Sequence, residues 1–488
     1  MNIFSKIRSS TKKRIRLFFH PYDQIFKNTK SKCFFIGIGG IGMSGLAFIM
    51  KKMGFDVYGS DIKESKITED LKKAGISVFI GHDKKNLDED TDIVVVSSAI
   101  PDNNPEIKKA LKIGIPIVKR SFLLGKLMQM KKGIAISGTH GKTTTTTMSS
   151  LILEKAGFDP VAMIGGEVKN IGGNYLSGEG DYFVAEACEY DRSFLDLYPH
   201  IGIITNIEED HLDYYRDIKD IKDAFKKFVR QIDKDGLLII CADDINNIEI
   251  AREAKCKVYG YGFGSKNRMQ ENQLSQYWEI EEIVQNNGET RFSLANGKHL
   301  GEFKLHIPGK HNVANACAAI ILSDHLGIEL DIVRVFLSEF MGTNRRFQIK
   351  GEKNGVVVID DYAHHPTEIK SALEGAKKFY KNKKIIAVFE PHQYSRTFLL
   401  KKEFGQSFSN ADLVILPDIY ATRDSDEDIK KISAQDLVEE IKNNGVDAIY
   451  IKDYNDIVNY LKETANNDFI VMTIGAGSIY KVGEGFLE

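Results

Sequence analysis

The stretch IAISGTHGKTTTTTMSSLILEKAG, residues 134–157, decides the fold of this chain. Residues 134–137 predict a short buried strand, and Gly138 and Gly141 predict a tight turn after it. From Lys142 the sequence is typical of a helix. The first backbone N–H groups of a helix lack partners within that helix, so a glycine turn at this point forms a cradle for an anion. The stretch therefore predicts a phosphate-binding loop.

Two polar side chains strengthen that prediction. Lys142 adds a positive charge beside the cradle, and Thr143 offers a hydroxyl to a phosphate-bound Mg²⁺. In the common P-loop, G-x-x-x-x-G-K-[ST], the first glycine would fall at Ile136, whereas here Gly138 lies closer to the lysine. GTHGKT is therefore a shortened spelling of the P-loop.

Length and composition indicate an ordinary globular protein. The chain has 488 residues, enough for about three domains of ~150 residues each. Its apolar content is 42% and its charged content 27%. The formal net charge of −2 gives no reason to expect a nucleic-acid partner, and no apolar run approaches the ~18 residues of a membrane span. Five scattered cysteines without CxxC spacing favour a reducing cytoplasm and buried thiols over disulfides or zinc.

Residues 1–32 differ from the rest of the chain. They carry nine Lys or Arg residues against the single acidic residue Asp23, and they lack the apolar core of a signal peptide. The segment predicts a solvated basic extension, with contact to an anionic membrane surface as the alternative.

Residues 33–130 predict a first, Rossmann-like domain. Its Gly37, Gly39 and Gly42 satisfy G-x-G-x-x-G after a predicted buried strand. Asp61 lies about 20 residues further on, where a dinucleotide fold places an acid against a ribose. The pattern predicts a diphosphate site without identifying the diphosphate. Strands are expected at 33–38, 55–58, 92–96 and 115–118, with Ser60 and Ser97 at the ends of the second and third.

Residues 131–342 predict a central domain around the P-loop. One predicted strand leads into Glu186, and another leads into TNIEEDHLDYY, which contains His211. The C-terminal ends of parallel strands share one edge of a sheet, so Thr143, Glu186 and His211 are expected to bind a metal ion together. Helix capping by Glu186 and a surface position for His211 are the alternatives.

The later part of this domain changes in pattern. Residues 255–307 alternate strands with Asn-Gly turns at 287–288 and 296–297, which predicts an antiparallel β excursion. Asn312 and Asn315 then open an alanine-rich helix. Helix capping explains either asparagine, and an amide can also bind an adenine edge.

Residues 343–488 predict a third domain with a parallel α/β sheet, after a hinge at 342–346. Arg345 and Arg346 follow the hinge and are candidates for contact with phosphates. Strands are expected at 356–359, 385–389, 413–416 and 469–474, and the polar residues at the strand ends are Asp361, His364, His365, His392, Arg396 and Arg423. A second substrate is therefore expected to meet the nucleotide between the second and third domains.

The set GIGGIGMSG, GTHGKT, EACEYDRSF, TNIEEDH, HNVAN, RRF and DDYAHHPTE resembles that of the Mur ligases. These motifs run in order from about residue 33 to the C-terminus, and GTxGKT is the family's P-loop spelling. The resemblance implies an ATP-dependent, amide-forming ligase. The first and last of these motifs, together with FEPHQYSRT, are most similar to those of the family member that joins L-alanine to UDP-N-acetylmuramate. The expected fold is α/β with three domains: a Rossmann-like N-terminal domain, a P-loop ATPase domain with a mostly parallel sheet and the antiparallel excursion, and a Rossmann-like C-terminal domain.

The resemblance also implies a function for each matching position. The catalytic residues would be Lys142, Arg346 and His211, and Mg²⁺, with Mn²⁺ as a working substitute, would bind Thr143, Glu186 and His211. The ATP-binding residues would be Gly138, Thr139, His140, Gly141, Lys142, Thr143, Thr144, Asn312, Asn315, Arg346 and Asp361. The UDP-sugar would bind Gly37, Gly39, Gly40, Gly42, Ser60, Asp61 and Ser97, and alanine would bind His364, His365 and Arg396.

One motif departs from the family. Cys188 and Tyr190 replace the Asp and Ser of its EADESD segment, while Glu186 and Glu189 remain in place.

Three other interpretations stay open. A dehydrogenase explains the first domain's glycines but not the P-loop, and a non-enzymatic P-loop regulator does not explain the polar strand ends of the third domain. A recycling ligase of the same family would add a whole peptide to the same UDP-sugar.

Overall fold

The computed structural model describes residues 24–168, 171–212, 214–264, 274–286, 289–422 and 424–488. The chain forms two compact units, and their boundary crosses the predicted central domain. Unit 1 contains Met1–Ser137, Gly157–Gly202 and Lys227–Leu237. Unit 2 contains Gly138–Ala156, Ile203–Lys226 and Leu238–Glu488. No helix of the described residues is both long and apolar enough to cross a lipid bilayer.

The first sheet of unit 1 is fully parallel, with strand order β3-β2-β1-β4-β5. This is the Rossmann strand order without its sixth strand, so the Rossmann-like prediction is confirmed. Its core packs apolar side chains such as Phe34, Val94 and Ile107. The strands are β1 (Lys32–Ile36), β2 (Asp56–Asp61), β3 (Ser77–Ile80), β4 (Ile93–Val96) and β5 (Ile117–Lys119), and the helices are α1 (Ile41–Lys52), α2 (Lys66–Lys73), α3 (Pro105–Ile113) and α4 (Arg120–Gln129).

Two details differ from the sequence predictions. The edge strand β3 was not predicted, and it is short and mostly exposed. The last strand begins at Ile117 rather than at residue 115, because Pro116 has no N–H for the ladder and offers only its carbonyl, to Val94.

Of the predicted basic extension, residues 1–23 lie outside the described residues. Lys32 belongs to β1, where its ammonium group pairs with Asp88 at 2.7 Å and Asp90 at 2.9 Å.

A second group of strands in unit 1 has the order β6-β9-β7-β8. β9 pairs in parallel with β6 and β7, and β7 forms an antiparallel hairpin with β8. These strands are β6 (Lys132–Ser137), β7 (Val161–Val168), β8 (Gly173–Ser177) and β9 (Tyr182–Glu186), and a 3₁₀ helix follows at Tyr190–Asp196.

Unit 2 contains the P-loop helix and most of a group of strands in the order β15-β14-β13-β12-β11-β10, of which β10 and β11 have their first residues in unit 1. β12 and β13 are parallel, whereas β13, β14 and β15 are antiparallel, which confirms the predicted excursion. The turn at 296–297 joins β14 to β15, and the turn predicted at 287–288 lies outside the described residues. The strands are β10 (Ile201–Ile204), β11 (Leu237–Cys241), β12 (Lys257–Gly262), β13 (Gln276–Asn286), β14 (Glu289–Ala295) and β15 (His299–Leu305). The helices are α5 (Lys142–Lys155), α6 (Ile218–Val229), α7 (Ile245–Ala251), α8 (Lys310–His325) and α9 (Leu330–Glu339).

The last sheet has the order β16-β17-β21-β18-β19-β20. All its pairs are parallel except the pair of β16 and β17, an edge hairpin that the sequence reasoning did not predict. Alternate residues of β17 bury against two different clusters, Ile359 in one and Val358 in the other, so the sheet is covered on both faces. The strands are β16 (Gln348–Lys353), β17 (Val356–Asp361), β18 (Lys384–Phe389), β19 (Leu413–Leu416), β20 (Ala448–Tyr450) and β21 (Phe469–Ile474). The helices are α10 (Pro366–Phe379), α11 (Tyr394–Leu399), α12 (Lys401–Gly405), α13 (Asp426–Ile429), α14 (Ala434–Asn443), α15 (Tyr454–Thr464) and α16 (Tyr480–Leu487).

Candidate functional site

The predicted P-loop has the backbone of an anion cradle. Gly138 has φ +130° and Gly141 has φ +84°, so both adopt conformations that favour glycine. A Cβ on Gly141 would also clash with the side-chain oxygen of Asn315. Among the described residues no side chain caps α5, and its first turn holds no acid. The N–H groups of that turn and the positive end of the helix dipole are therefore available to an anion.

Asn206 braces this loop from the side. Its side-chain oxygen accepts the His140 N–H at 2.9 Å, and its amide donates to the His140 carbonyl at 3.0 Å. Its own carbonyl accepts the Thr139 N–H at 2.9 Å. Lys142 folds back over the loop and donates to the carbonyls of Thr139, at 3.0 Å, and Gly138. Asn206 is therefore a brace of the P-loop.

A cavity of about 590 Å³ within unit 2 opens beside the loop. It brings together eight of the predicted ATP-binding residues: His140, Gly141, Thr143, Thr144, Asn312, Asn315, Arg346 and Asp361. Gly138, Thr139 and Lys142 belong to the loop without lining the cavity. Its lining also includes the apolar and aromatic side chains Ile207, Ile245 and Tyr261. A cavity that combines a glycine loop at a helix N-terminus with apolar and aromatic side chains fits a nucleotide.

The asparagines of α8 are fixed inside this wall. Asn312 donates to the carbonyl of Pro308 at 2.7 Å, and its oxygen accepts the amide of Asn315 at 3.4 Å. Both side chains are buried and both line the cavity. Neither fits the capping interpretation, because α8 begins at Lys310 with Gly309 at the N-cap and without a side-chain cap among the described residues.

A charged cluster closes the cavity at the end nearest the P-loop. His140 Nδ1 lies 3.1 Å from Glu368 Oε1, and His140 Nε2 lies 3.5 Å from Glu208 Oε2. Glu208 also accepts the hydroxyl of Thr367 at 2.7 Å. Arg346 pairs with Glu368 at 3.4 Å. Ion pairs thus connect the P-loop to the strand end at Glu208 and to the start of α10.

Burial and charge set the protonation of this cluster. Burial alone would lower the pKa of His140, but the charges of Glu368 and Glu208 outweigh it and raise that pKa to about 9. Burial alone would raise the pKa of Glu368, but the neighbouring histidine and arginine charges hold it well below its usual range. Burial raises the pKa of Asp361 to about 6, against the opposing charge of Arg346. At neutral pH His140 is therefore a cation between two carboxylates.

The residues predicted to bind alanine lie beside the TNIEEDH segment. The Arg396 guanidinium pairs with Asp210 at 3.0 Å, and both side chains are nearly buried. Burial alone would raise the pKa of Asp210, but the charges of His211 and Arg396 outweigh it and hold that pKa far below its usual range. His365 Nε2 lies 3.2 Å from the Glu209 carbonyl. Burial lowers the pKa of the neighbouring His364 to about 4.

The two arginines after the hinge have different environments. Arg345 donates to Asp360 at 2.9 Å and to the Gly475 carbonyl at 2.6 Å, and it stacks on Tyr362 and Tyr480. It is therefore held within the last sheet's end, and it does not line the cavity, whereas Arg346 does. Of the other polar strand-end residues predicted here, Arg423 lies outside the described residues, and His392 stacks on Tyr420.

In unit 1 the predicted diphosphate loop is closed by its own acid. Asp61 accepts the Gly39 N–H at 2.8 Å, and Gly37 has φ +80°. Ser60 is fully buried and bonds Glu106 at 2.9 Å, so its hydroxyl supports the sheet edge from inside. Ser97 accepts the N–H of Ala99 at 3.4 Å. Gly40 and Gly42 lie at the start of α1.

Two of the predicted metal ligands are Glu186, in unit 1, and His211, in the segment after β10. Glu186 accepts the Gly165 N–H at 2.6 Å, and a Cβ at Gly165 would overlap its carboxylate. His211, in unit 2, has φ +54°, a conformation that costs a side-chain-bearing residue free energy and is concentrated at functional sites. All five cysteines lie in the described residues without forming a disulfide; Cys33 and Cys317 are buried, and the other three are half-buried.

The sequence reasoning missed several polar residues of the cavity. Glu208 and Glu368 stand inside the quoted motifs TNIEEDH and DDYAHHPTE, so proximity to a strand end was the available signal. His311 lies beside the predicted Asn312, and burial lowers its pKa to about 4. Asp243 and Asp244, after β11, line the cavity with no motif to mark them.

Comparison with known proteins matches the chain to three family models. Residues 32–132 match the Mur ligase family catalytic domain, 136–323 the Mur ligase middle domain and 345–477 the Mur ligase glutamate ligase domain. The chain is 46% identical over 457 residues to the UDP-N-acetylmuramate–L-alanine ligase of Caldanaerobacter subterraneus, covering 93% of this chain and 96% of that one.

Solved structures give the same result. The UDP-N-acetylmuramate-alanine ligase of Thermotoga maritima superposes with a TM-score of 0.76 at 32% identity, over 93% of this chain and 98% of that one. A murein peptide ligase of Psychrobacter arcticus superposes with a TM-score of 0.66 at 25% identity, over 94% and 98%. On this similarity, and on the P-loop cavity that its motifs build, the chain belongs to the Mur ligase family.

Proposed function

We propose that this chain joins L-alanine to the carboxylate of UDP-N-acetylmuramate, with ATP converted to ADP and phosphate, as a step of peptidoglycan precursor synthesis in the cytoplasm. The observation that carries the proposal is the single cavity in which the P-loop, Asn312 and Asn315 meet Arg346 and Asp361. The Caldanaerobacter subterraneus protein, which is 46% identical over 457 residues, is named for this reaction.

The chemistry requires an activated carboxylate. A carboxylate oxygen of the sugar attacks the γ-phosphorus of ATP, and the bond from that phosphorus to the β-bridging oxygen breaks and releases ADP. The amine of alanine then attacks the acyl carbon, the bond from that carbon to the phosphate oxygen breaks, and the amine loses a proton. The protein's contribution is positioning and the neutralisation of charge.

We assign that contribution to the residues of the cavity. Lys142 and the N-terminus of α5 hold the β- and γ-phosphates, and Arg346 stabilises the charge on the transferring group. Asn312 and Asn315 contact the nucleotide, and Asp361 faces it from the last sheet. Support comes from the position of Arg346, Asn312, Asn315 and Asp361 around the cavity, and from that of Lys142 in the loop beside it. The first turn of α5 also holds no acid among the described residues.

The proposed metal ligands are Thr143, Glu186 and His211. Their donor set of a hydroxyl, a carboxylate and an imidazole fits Mg²⁺ and fits Mn²⁺ at least as well, since Mg²⁺ prefers oxygen. Within unit 2 His211 has a left-handed backbone, and within unit 1 a glycine packs against Glu186, so each side chain is constrained in its own unit. When bound, the ion would offset phosphate charge.

The sugar and the amino acid are assigned to other parts of the chain. The diphosphate binds Gly37, Gly39, Gly40 and Gly42 with Ser97 and Asp61 nearby, and the buried Ser60 supports that edge. Alanine binds His364, His365 and Arg396. The proposed domains are a basic extension at 1–32, a UDP-sugar domain at 33–130, an ATP domain at 131–342 and a C-terminal domain at 343–488, close to the ranges of the three family models.

A phosphate-release assay with the full chain, UDP-N-acetylmuramate, ATP and each amino acid in turn tests the substrate assignment. We expect turnover with L-alanine and little with a tripeptide amine, since the peptide-ligase neighbour is the more distant one at 25% identity. Faster turnover with the peptide would favour the recycling ligase. Turnover of NAD without use of ATP would revive the dehydrogenase, and binding of ATP without any product would indicate a regulator.

Isotope transfer tests the route. An ¹⁸O label in the sugar carboxylate is expected in the released phosphate, because the oxygen that attacked phosphorus leaves with it. AMP and pyrophosphate as products, or phosphate free of label, would contradict an acyl phosphate.

A further inference from the structure

We propose that His140, Glu208 and His365 form a binding site for a divalent transition-metal ion such as Zn²⁺ or Co²⁺. One ligand atom from each of the three lies within 4.8 Å of the other two. The inference goes beyond the ligase activity and does not depend on it. It concerns a different set of residues from the proposed Mg²⁺ ligands Thr143, Glu186 and His211.

His140 is oriented for this purpose. Its Nδ1 lies 3.1 Å from Glu368 Oε1, which fixes the ring and leaves Nε2 directed at Glu208 Oε2, 3.5 Å away. That Nε2 is buried and makes no hydrogen bond with a described residue. Metal-binding histidines characteristically give their other ring nitrogen to a carboxylate or carbonyl oxygen, so the Glu368–His140 pair is the expected support for a ligand.

His365 has the same arrangement with a different support. Its Nε2 lies 3.2 Å from the Glu209 carbonyl, and a carbonyl oxygen can only accept, so Nε2 carries the proton and Nδ1 holds the lone pair. Nδ1 accepts the N–H of Thr367 at 3.4 Å as the N-cap of α10, and a metal ion bound at Nδ1 takes the place of this hydrogen bond. The ring is buried and lies 5.1 Å, centre to centre, from that of His140.

The third ligand is also held in place. Glu208 accepts the Thr367 hydroxyl at 2.7 Å, which leaves carboxylate lone pairs for an ion. Zinc bonds of about 2.0–2.1 Å in tetrahedral geometry need ligand separations of about 3.3 Å, so shifts of ~1 Å at the side-chain ends would close the site. Two imidazoles and a carboxylate favour zinc, cobalt or nickel, whereas Mg²⁺ prefers oxygen ligands.

The charges suit a dication. Glu208 and Glu368 bring two carboxylates against the ring of His140. A metal ion bound there links the P-loop, the strand end after β10 and the start of α10. Because His140 belongs to the P-loop, a bound ion is expected to alter nucleotide affinity, so the test is made without nucleotide.

The experiment titrates Co²⁺ into the full chain, stripped with a chelator and kept in excess Mg²⁺, and follows the visible absorption of bound cobalt. We expect saturation at one ion per chain. His140→Ala, His365→Ala and Glu208→Gln should each weaken binding at least tenfold. Glu368→Gln removes the carboxylate that supports His140 and that also pairs with Arg346, and it should weaken binding by about 10- to 100-fold.

Two further histidines are the matched controls. His299 pairs with Glu281 on the exposed surface, and His299→Ala should bind like the parent. His211→Ala should also retain cobalt binding. If His211→Ala abolishes binding while the three cluster variants keep it, the ion occupies the proposed Mg²⁺ site and the inference is wrong.

A second measurement uses the unaltered chain, so that a variant that fails to fold does not decide the outcome. Crystals soaked in Zn²⁺ should give an anomalous difference peak between His140, Glu208 and His365. A peak at Glu186 or His211 alone, or no peak, would overturn the inference. Neither result bears on the ligase assay, which uses ATP, the UDP-sugar and Mg²⁺.

Discussion

Two glycine loops open helices in this molecule, and they share a pattern while differing in chemistry. The loop before α1 in unit 1 ends at Gly40, and the loop before α5 in unit 2 ends at Gly141. In the described residues neither helix has a side-chain cap or an acid in its first turn. The next residue is Ile41 in one helix and Lys142 in the other. Both loops therefore expose helix N–H groups. Lys142 adds a positive charge from the helix itself, whereas the guanidinium beside the start of α1 is that of Arg120, which packs against Gly42 from another helix.

The backbones differ as well. Gly40 has φ −67°, a conformation open to any residue, whereas Gly141 has φ +84°. The side chains that hold the two loops also differ in charge. The first loop is held by an anion, since Asp61 accepts the Gly39 N–H, and the second is held by the neutral amide of Asn206. Two similar glycine patterns thus form loops at helix N-termini that differ in backbone conformation and in the side chain that holds each loop.

The largest expected effect is that of Lys142→Ala. If Lys142 neutralises the transferring phosphate, turnover should fall at least about a hundredfold, which corresponds to about 2.7 kcal/mol of transition-state stabilisation. Ile41→Ala, the change at the equivalent position of α1, should leave turnover within about threefold, since Ile41 is 48% exposed. Initial rates and circular dichroism of both variants check this. Near-normal turnover of folded Lys142→Ala would show that this side chain is not part of the phosphate site.

The second effect separates the two loop backbones. Gly141→Ala forces a side chain into a left-handed conformation, at about 1–2 kcal/mol, and against Asn315. We expect a KM for ATP raised at least tenfold and a lower melting temperature. The matched Gly40→Ala meets no atom closer than 3.5 Å and should melt like the parent. Equal damage by both substitutions would show that the backbone difference is unimportant.

Several features of the molecule could be predicted from the sequence because they depend on local patterns. The P-loop strand and helix, the Rossmann-like first sheet and the antiparallel strands after residue 255 follow from glycine spacing, apolar runs and turn residues. The motif residues Asn312, Arg346 and Asp361 were also predicted, and the structure brings them to one cavity.

Other features depend on tertiary contacts that no local pattern reports. Arg345 and Arg346 are adjacent in sequence, yet the first is bound by Asp360 and carbonyl oxygens while the second faces the cavity. Ser60 ends a strand like a ligand-binding residue but is buried against Glu106. Glu208 and Glu368 are 160 residues apart, and only the folded chain places both against His140.

The third effect is a pH dependence of the stability, and it arises from His140 in the second loop. The carboxylates around His140 raise its pKa from 6.5 to about 9, after outweighing burial. The folded state thus binds the proton more tightly, so this stabilisation is fully present below pH ~6.5 and is lost as pH rises through about 9. It is on the order of 1–3 kcal/mol. Melting temperatures in chelator should fall across this window more for the parent than for His140→Gln, and parallel curves would contradict the pairing.

The smallest expected effect concerns Asp61 in the first loop, and it asks whether that acid acts by its charge or by its hydrogen bond. Asp61→Asn keeps an oxygen for the Gly39 N–H and removes only the charge, so the KM for the UDP-sugar should change less than about threefold. Asp61→Ala leaves that N–H unpaired, and losing a hydrogen bond of about 1–1.5 kcal/mol should raise this KM by roughly five- to tenfold. The KM for ATP, which reports on the other loop, should stay constant in both variants. If Asn is as damaging as Ala, the charge itself is required, and Asp61 would then be the ribose-binding acid that the glycine pattern predicts rather than a brace of its loop.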